Sequence, residues 1–133
     1  MPNRVAPRTL AVFLPLSLSL MLSAGQVFAH GEHLKPQFGG ITAEAEVFQI
    51  EMVTKGNQIT LYLSEHGAPV ESAAASGKLL VLSGKVKEEV TLTPNGFQSL
   101  GAKLKTNPAQ NAKAVATITV PGRGTGTARF TFK

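Results

Sequence analysis

Residues 114–120 read Ala-Val-Ala-Thr-Ile-Thr-Val. In an extended chain successive side chains point to opposite faces, so Ala116, Ile118 and Val120 share one face of this segment. The other face carries one valine and two threonines. An apolar face that alternates with a mixed face, with a period of two, predicts a β-strand that is buried on one side only.

The same alternation recurs beyond residue 40, and clusters of Gly, Pro and Asn separate the segments every 8–12 residues. No stretch keeps a helical period for long, and residues 70–76 would form a single turn that is too short to persist alone. The pattern predicts an all-β fold, an Ig-like antiparallel β-sandwich of seven or eight strands, with a small barrel as the alternative. The other alternating segments are 48–52, 59–63, 90–92, 100–104 and 130–132, and the segment 79–82 is apolar on both faces, as in a central strand.

The N-terminal segment has the pattern of a secretory signal peptide. Arg4 and Arg8 precede an apolar run at residues 10–22, and small residues follow that run. A basic region, a short apolar stretch and a small-residue cleavage site are typical of an exported protein. A membrane anchor is the alternative, but a spanning helix needs about twenty apolar residues. We expect cleavage after Ala29, with a cut after Ala24 as the weaker alternative.

Cleavage after Ala29 divides the chain into a signal peptide at 1–29, a histidine-containing arm at 30–40 and a β-sandwich domain at 41–133. The chain has no Cys, which excludes a disulfide scaffold, a thiolate metal site and a cysteine nucleophile. An exported domain without Cys is typical of a bacterial periplasm. We therefore expect a periplasmic protein that is not embedded in a membrane after processing.

The charge balance predicts no nucleic-acid partner. The whole chain carries +5, and loss of the two arginines in residues 1–29 leaves +3. No cluster of Lys and Arg with interleaved aromatic residues occurs, although such a cluster is typical of nucleic-acid binding.

The three histidines are the candidate metal ligands. His30 would begin the processed chain, and its α-amine and imidazole can close one chelate ring on a metal ion. His33 adds a third nitrogen from the same arm, with Glu32 or water in a remaining position. His66 lies in Ser-Glu-His-Gly, at the end of a predicted strand, and can join if the fold brings that turn to the arm.

A nitrogen-rich site of this type suits Cu(II), which heads the divalent affinity order, with zinc and nickel as alternatives. The usual amino-terminal copper and nickel motif has histidine at the third position, where this chain has Glu32. The competing interpretation is a solvated terminal arm, because chain termini are often poorly ordered. Met52 shares a face with Phe48 and Ile50, which predicts core packing rather than ligation.

Other chemical motifs are weaker. The glycine-rich stretch 122–126 lacks the Lys-Ser/Thr of a phosphate-binding loop, which favours a hairpin loop. Glu44, Glu46 and Glu51 have the spacing of exposed residues on strands rather than of an acid–base pair. No nucleophile elbow occurs. We expect no enzymatic activity.

Two stretches carry a resemblance to a known family. Residues 33–40 read His-Leu-Lys-Pro-Gln-Phe-Gly-Gly, and residues 59–70 read Ile-Thr-Leu-Tyr-Leu-Ser-Glu-His-Gly-Ala-Pro-Val. Together they resemble small periplasmic β-sandwich proteins encoded beside heavy-metal and copper efflux systems, and modules of the adaptor subunits of those pumps. The resemblance covers most of the chain after residue 29. In that family a histidine often precedes the Gly-Gly pair, where this chain has Phe38.

The resemblance implies a metal-handling role, with a periplasmic or membrane component of an efflux system as partner. The sequence thus predicts a buffer or carrier of copper in metal resistance. The alternative is a metal-free accessory β-sandwich that docks on an envelope protein complex, through an edge strand such as 126–132 or the surface around Tyr62. On that edge strand, Arg129 and Lys133 are expected to face outward. A copper oxygenase is a third, remote class, because the domain lacks an evident substrate platform.

Overall fold

A computed structural model describes residues 35–133. This part of the chain forms nine β-strands and no helix, and hence contains no helix that could cross a membrane. The strands are β1 (Ile41–Ala45), β2 (Phe48–Lys55), β3 (Gln58–Glu65), β4 (Ala68–Pro69), β5 (Ser76–Ser83), β6 (Val86–Gly96), β7 (Ser99–Lys103), β8 (Lys113–Val120) and β9 (Gly124–Thr131).

Eight of the strands form one antiparallel path in the order β1-β2-β3-β7-β6-β5-β8-β9, and the short β4 pairs with β3. Strand β6 joins two groups of strands, because residues 86–92 pair with β5 whereas residues 93–96 pair with β7. The register shifts between Pro94 and Gly96, where a bulge or irregularity interrupts the ladder. Strands β5 to β8 have the spatial order 8-5-6-7, which is a Greek key.

The two ends of this path lie beside each other, so the sheet is nearly closed. A Cβ built on Gly126 of β9 would lie 2.2 Å from the carbonyl oxygen of Ala45 in β1. Only glycine permits this approach of two backbones. Near closure leaves little of either end strand as a free edge, and it brings the loops at each end of the barrel together.

The core lies inside this nearly closed sheet and is built from the apolar face of each strand. Along β8, for example, Ala114, Ala116, Ile118 and Val120 are buried, as the alternation predicts. Ser72 is also fully buried; its hydroxyl donates to the carbonyl of Gly96 at 2.6 Å. The largest fully buried apolar side chains are Ile50, Met52, Ile59, Leu61, Leu63, Leu79, Leu92, Leu100, Ile118 and Val70.

The structure confirms the all-β prediction and its strand segments, with nine strands where seven or eight were expected. Strand β5 is central, since β6 and β8 flank it, and Met52 is a core residue. Arg129 faces outward and Lys133 is exposed, as predicted, and Gly122 and Arg123 lie in the β8–β9 hairpin loop. The segment predicted as a signal peptide, His30 and His33 lie outside the described residues.

Two surface predictions are wrong. Glu51 was expected to be exposed on its strand, but it is only 6% exposed. Tyr62 was expected to offer an open docking surface, but it is half-buried, because the ring of Phe38 stacks on it. Both differences have one cause, which is that residues 37–40 cover this face of the sheet.

Candidate functional site

A cleft of about 710 Å³ opens at one end of the barrel. Three loops surround it: the β1–β2 turn, the β3–β4 turn and the β8–β9 loop. His66 is the histidine that lines it, and Arg123 lies on the β8–β9 loop. The cleft is lined by Glu44, Glu46, Val47, Phe48, Gln49, Glu65, His66, Gly122 and Arg123.

The position of His66 is set by a two-residue hairpin turn. Glu65 pairs with Ala68, so His66 and Gly67 form the whole connection between β3 and β4. Both have positive φ, +49° and +81°, as a type I′ turn requires. The flanking strands therefore hold the imidazole at the rim of the cleft rather than on a long mobile loop.

The β1–β2 connection on the other side of the cleft is also unusual. The Val47 N–H donates to the Ala45 carbonyl at 2.6 Å, which closes a three-residue turn around Glu46. Glu46 has a φ of +56°, which is uncommon for a residue other than glycine. The turn directs the chain back along β2 and leaves the Glu46 side chain exposed at the cleft.

The cleft carries an excess of acidic groups. Three glutamates line it, against one arginine and one histidine. Arg123 forms an ion pair and hydrogen bond with Glu65, so one carboxylate is already neutralised. Acidic side chains thus outnumber basic ones in the lining, which favours a cation over an anion as the occupant of the cleft.

Of the three predicted ligands, the structure describes His66 alone. Within residues 35–133, no three His or Glu side chains come close enough together to hold a metal ion. A complete metal site at this cleft would therefore need donors from outside the described range, which is where His30 and His33 lie.

The arm preceding β1 is tied to the sheet by a buried carboxylate. Glu51 accepts hydrogen bonds from the backbone N–H groups of Gln37 at 2.6 Å, Phe38 at 2.7 Å and Gly40 at 2.8 Å. Hydrogen bonds to a charged acceptor are the stronger kind, and three of them satisfy most of the carboxylate's capacity. Glu51 is therefore the anchor that fixes the course of the arm.

Packing reinforces this anchor. A Cβ on Gly40 would lie 2.3 Å from the carbonyl oxygen of Met52, so only glycine lets the arm approach β2 this closely. The ring of Phe38 stacks on Tyr62 with centroids 3.8 Å apart and planes 9° apart. The Phe-Gly-Gly sequence thus serves to seat the arm.

The seated arm has a direction, and it points towards the cleft. Gly40 lies against Met52 and Val53, whereas Lys35 lines a groove shared with Gln49 and Ser64. Gln49 and Ser64 are paired across β2 and β3, closer to the β3–β4 turn than Met52 is. Traced backwards from β1, the chain therefore approaches the end of the barrel that carries His66.

Sequence reasoning correctly placed His66 at the end of a strand, and its role as a ligand stays a prediction; it missed the burial of Glu51 and the role of Phe38. The signal for both was the Gly-Gly pair before β1, because two glycines next to a strand indicate close backbone approach. Glu51, which faces outward on the neighbouring strand, offers a hydrogen-bond acceptor for the backbone N–H groups next to that pair. The glycine pair is visible in the sequence, but which side chain accepts hydrogen bonds from the arm depends on the strand register.

The sequence matches no protein-family model, and comparisons with curated proteins and with solved structures found no match.

Proposed function

We propose that the chain is a periplasmic protein that binds a divalent transition metal, most readily Cu(II), as a buffer or carrier in metal resistance. His30, His33 and His66 are the proposed ligands. The single observation that carries the proposal is the direction of the anchored arm, which leads from Glu51 towards the cleft where His66 stands.

Chain length is compatible with this site. His33 precedes Lys35 by two residues, a span of at most about 7 Å, and His30 precedes it by five, a span of at most about 18 Å. Lys35 shares its groove with Gln49, which also lines the cleft. The proposal therefore requires the arm to continue from Lys35 past Gln49 to the cleft.

The chemistry of the donors favours Cu(II). Three imidazoles and an α-amine form a nitrogen-rich set, and imidazole suits copper, zinc and nickel, among which copper binds most strongly. The acidic lining of the cleft attracts a dication and offers carboxylate oxygens as additional ligands. The ligands must be unprotonated to bind, so affinity should weaken on acidification.

We favour an Ig-like sandwich over a simple barrel, because β6 divides its pairing between two groups of strands and a Greek key connects them. This architecture would place the arm on the outer face of one sheet.

Copper titration of the protein purified after export, with its start verified by intact mass, tests the proposal. His66→Asn removes the imidazole but keeps the turn, since Asn-Gly is a favoured type I′ pair. It should lower Cu(II) affinity at least about tenfold. Loss of a residue that only supports a metal ligand already costs about that much, and loss of the ligand itself should cost more. Glu71→Gln, an exposed change outside the cleft, is the control and should have no effect.

A second variant tests the arm. One extra residue before His30 converts the coordinating amine into an amide while leaving every side chain in place. This protein should bind Cu(II) more weakly than the native-start form, with altered nitrogen hyperfine structure in its electron paramagnetic resonance spectrum. Equal affinities for native-start, extended and His66→Asn proteins would refute the metal site and favour the docking-module alternative.

A further inference from the structure

Lysines are concentrated at the end of the barrel opposite the cleft. This end is formed by the β2–β3 turn, the β5–β6 turn and the β7–β8 loop. Of the nine lysines between residues 35 and 133, seven lie here, and all seven are exposed. They are Lys55, Lys85, Lys87, Lys103, Lys105, Lys113 and Lys133.

Strand register shows that these lysines share one end. Gln58 pairs with both Lys55 and Lys103, and Leu82 pairs with both Lys87 and Lys113. The two groups meet where the Lys105 N–H donates to the Glu88 carboxylate at about 3.0 Å. Glu88 is the acidic residue that the described chain places at this end, so the charge there is strongly positive.

An exposed apolar side chain stands within the lysine end. Val86 begins β6 directly after the β5–β6 turn, and it is 68% exposed between Lys85 and Lys87. Leu82, on the other strand of the hairpin, is also exposed. Lysines beside an exposed apolar side chain provide two kinds of group that an anionic membrane accepts, cations for the headgroups and an apolar group for the acyl boundary.

We propose that the lysine end docks on the surface of an anionic lipid bilayer. Charge complementarity selects this occupant over a zwitterionic membrane, because each lysine near an anionic surface adds a favourable contribution. The exposed Val86 favours an anionic bilayer over a soluble polyanion, because a soluble polyanion has no apolar layer to contact it. In this orientation the cleft with His66 faces away from the membrane, so the inference is independent of the proposed metal site.

Co-sedimentation with vesicles tests the inference. The exported protein, with its start verified by mass, is mixed with vesicles of phosphatidylcholine alone or with about one-third phosphatidylglycerol. Binding should require the anionic lipid and should fall as salt shortens the Debye length from about 10 Å at 0.1 M. Lys85→Gln with Lys87→Gln should weaken binding about fivefold per lysine, on the order of 25-fold together.

Matched controls separate the end of the barrel from net charge. Lys35→Gln with Lys78→Gln removes the same number of charges from the two exposed lysines that lie outside the lysine end, and it should retain most of the binding. Val86→Thr keeps the branched shape but adds a hydroxyl. It should weaken binding to anionic vesicles and leave binding to a soluble polyanion unchanged. Thermal unfolding of each variant verifies that it is folded.

Three results would overturn the inference. The first is equal sedimentation with both vesicle types. The second is equal loss in the two double variants. The third is binding to a short DNA duplex or an acidic peptide that depends on Lys85 and Lys87 but not on Val86, which would indicate a general polyanion site.

Discussion

Glu51 on β2 and Glu89 on β6 both point outward from the middle of a strand, yet their surroundings differ completely. Glu51 is buried beneath the arm and accepts three backbone hydrogen bonds. Glu89 is exposed, and Lys78 lies across the strand pair with its Nζ atom 3.4 Å from a carboxylate oxygen. The same local pattern therefore yields a structural anchor on one face and an ordinary solvated ion pair on the other.

The difference shows what a covering segment does to a sheet. The outer face of β1 to β3 is occupied by residues 37–40, whose amides need an acceptor. The outer face of β5, β8 and β9 carries exposed threonines with no such cover among the described residues, and two of them, Thr119 and Thr125, approach each other at 2.7 Å. The following changes test whether the two faces differ energetically as they do geometrically.

Glu51→Gln should have the largest effect. One amide oxygen replaces two carboxylate oxygens, and the new NH₂ group faces the N–H donors of the arm. We expect unfolding free energy to fall by about 1.5–3 kcal/mol, the range for hydrogen bonds to a charged group. Glu89→Gln, the matched change on the open face, should cost no more than about 0.5 kcal/mol. Urea unfolding measures both, and equal losses would contradict the anchoring role of Glu51.

Gly40→Ala should have the next largest effect, because its Cβ would collide with the Met52 carbonyl. Displacing the arm should cost about 1–3 kcal/mol, as for other overpacked sites. Gly39→Ala meets no atom within 4 Å but must hold a φ of +76°, and it should cost about 1 kcal/mol. Thermal unfolding compares the pair, and a larger loss at Gly39 would show that close approach is not what requires Gly40.

Phe38→Ala should cost about 1 kcal/mol, because it removes one stacked aromatic pair that is partly exposed. Tyr62 is the only tyrosine and the chain has no tryptophan, so tyrosine fluorescence reports directly on the stack. Phe97→Ala is the control, since Phe97 is 68% exposed. Unchanged emission in Phe38→Ala would contradict the stacked arrangement.

Arg123→Gln should have the smallest effect on stability, below about 1 kcal/mol, because its pair with Glu65 is solvent-exposed. The same change should strengthen metal binding, although it weakens stability. The change frees the Glu65 carboxylate and removes a positive charge from the cleft, so Cu(II) affinity should rise severalfold. Arg129→Gln lies away from the cleft and controls for net charge; an equal rise there would remove the local explanation.

The all-β class and the strand segments followed from the sequence, because a period of two needs no long-range information. The alternation from Ala114 to Val120 is enough to identify the buried face of β8, and the pair His66-Gly67 is enough to indicate a turn. Glu51 could not be predicted in the same way, since its burial depends on a segment eleven or more residues away folding over it. The course of the arm required the register that places Glu51 opposite Tyr62.

Paramagnetic broadening by Cu(II) in ¹H–¹⁵N spectra tests the central claim, that the anchored arm delivers a metal site to the His66 end of the barrel. Substoichiometric Cu(II) should first broaden the amides of residues 44–47, 65–67 and 122–123, and it should spare residues 55–57 and 83–86 at the lysine end. The same pattern should fade in Glu51→Gln, where the arm is released. Broadening that spares residues 65–67, or that is unchanged in Glu51→Gln, would contradict the account.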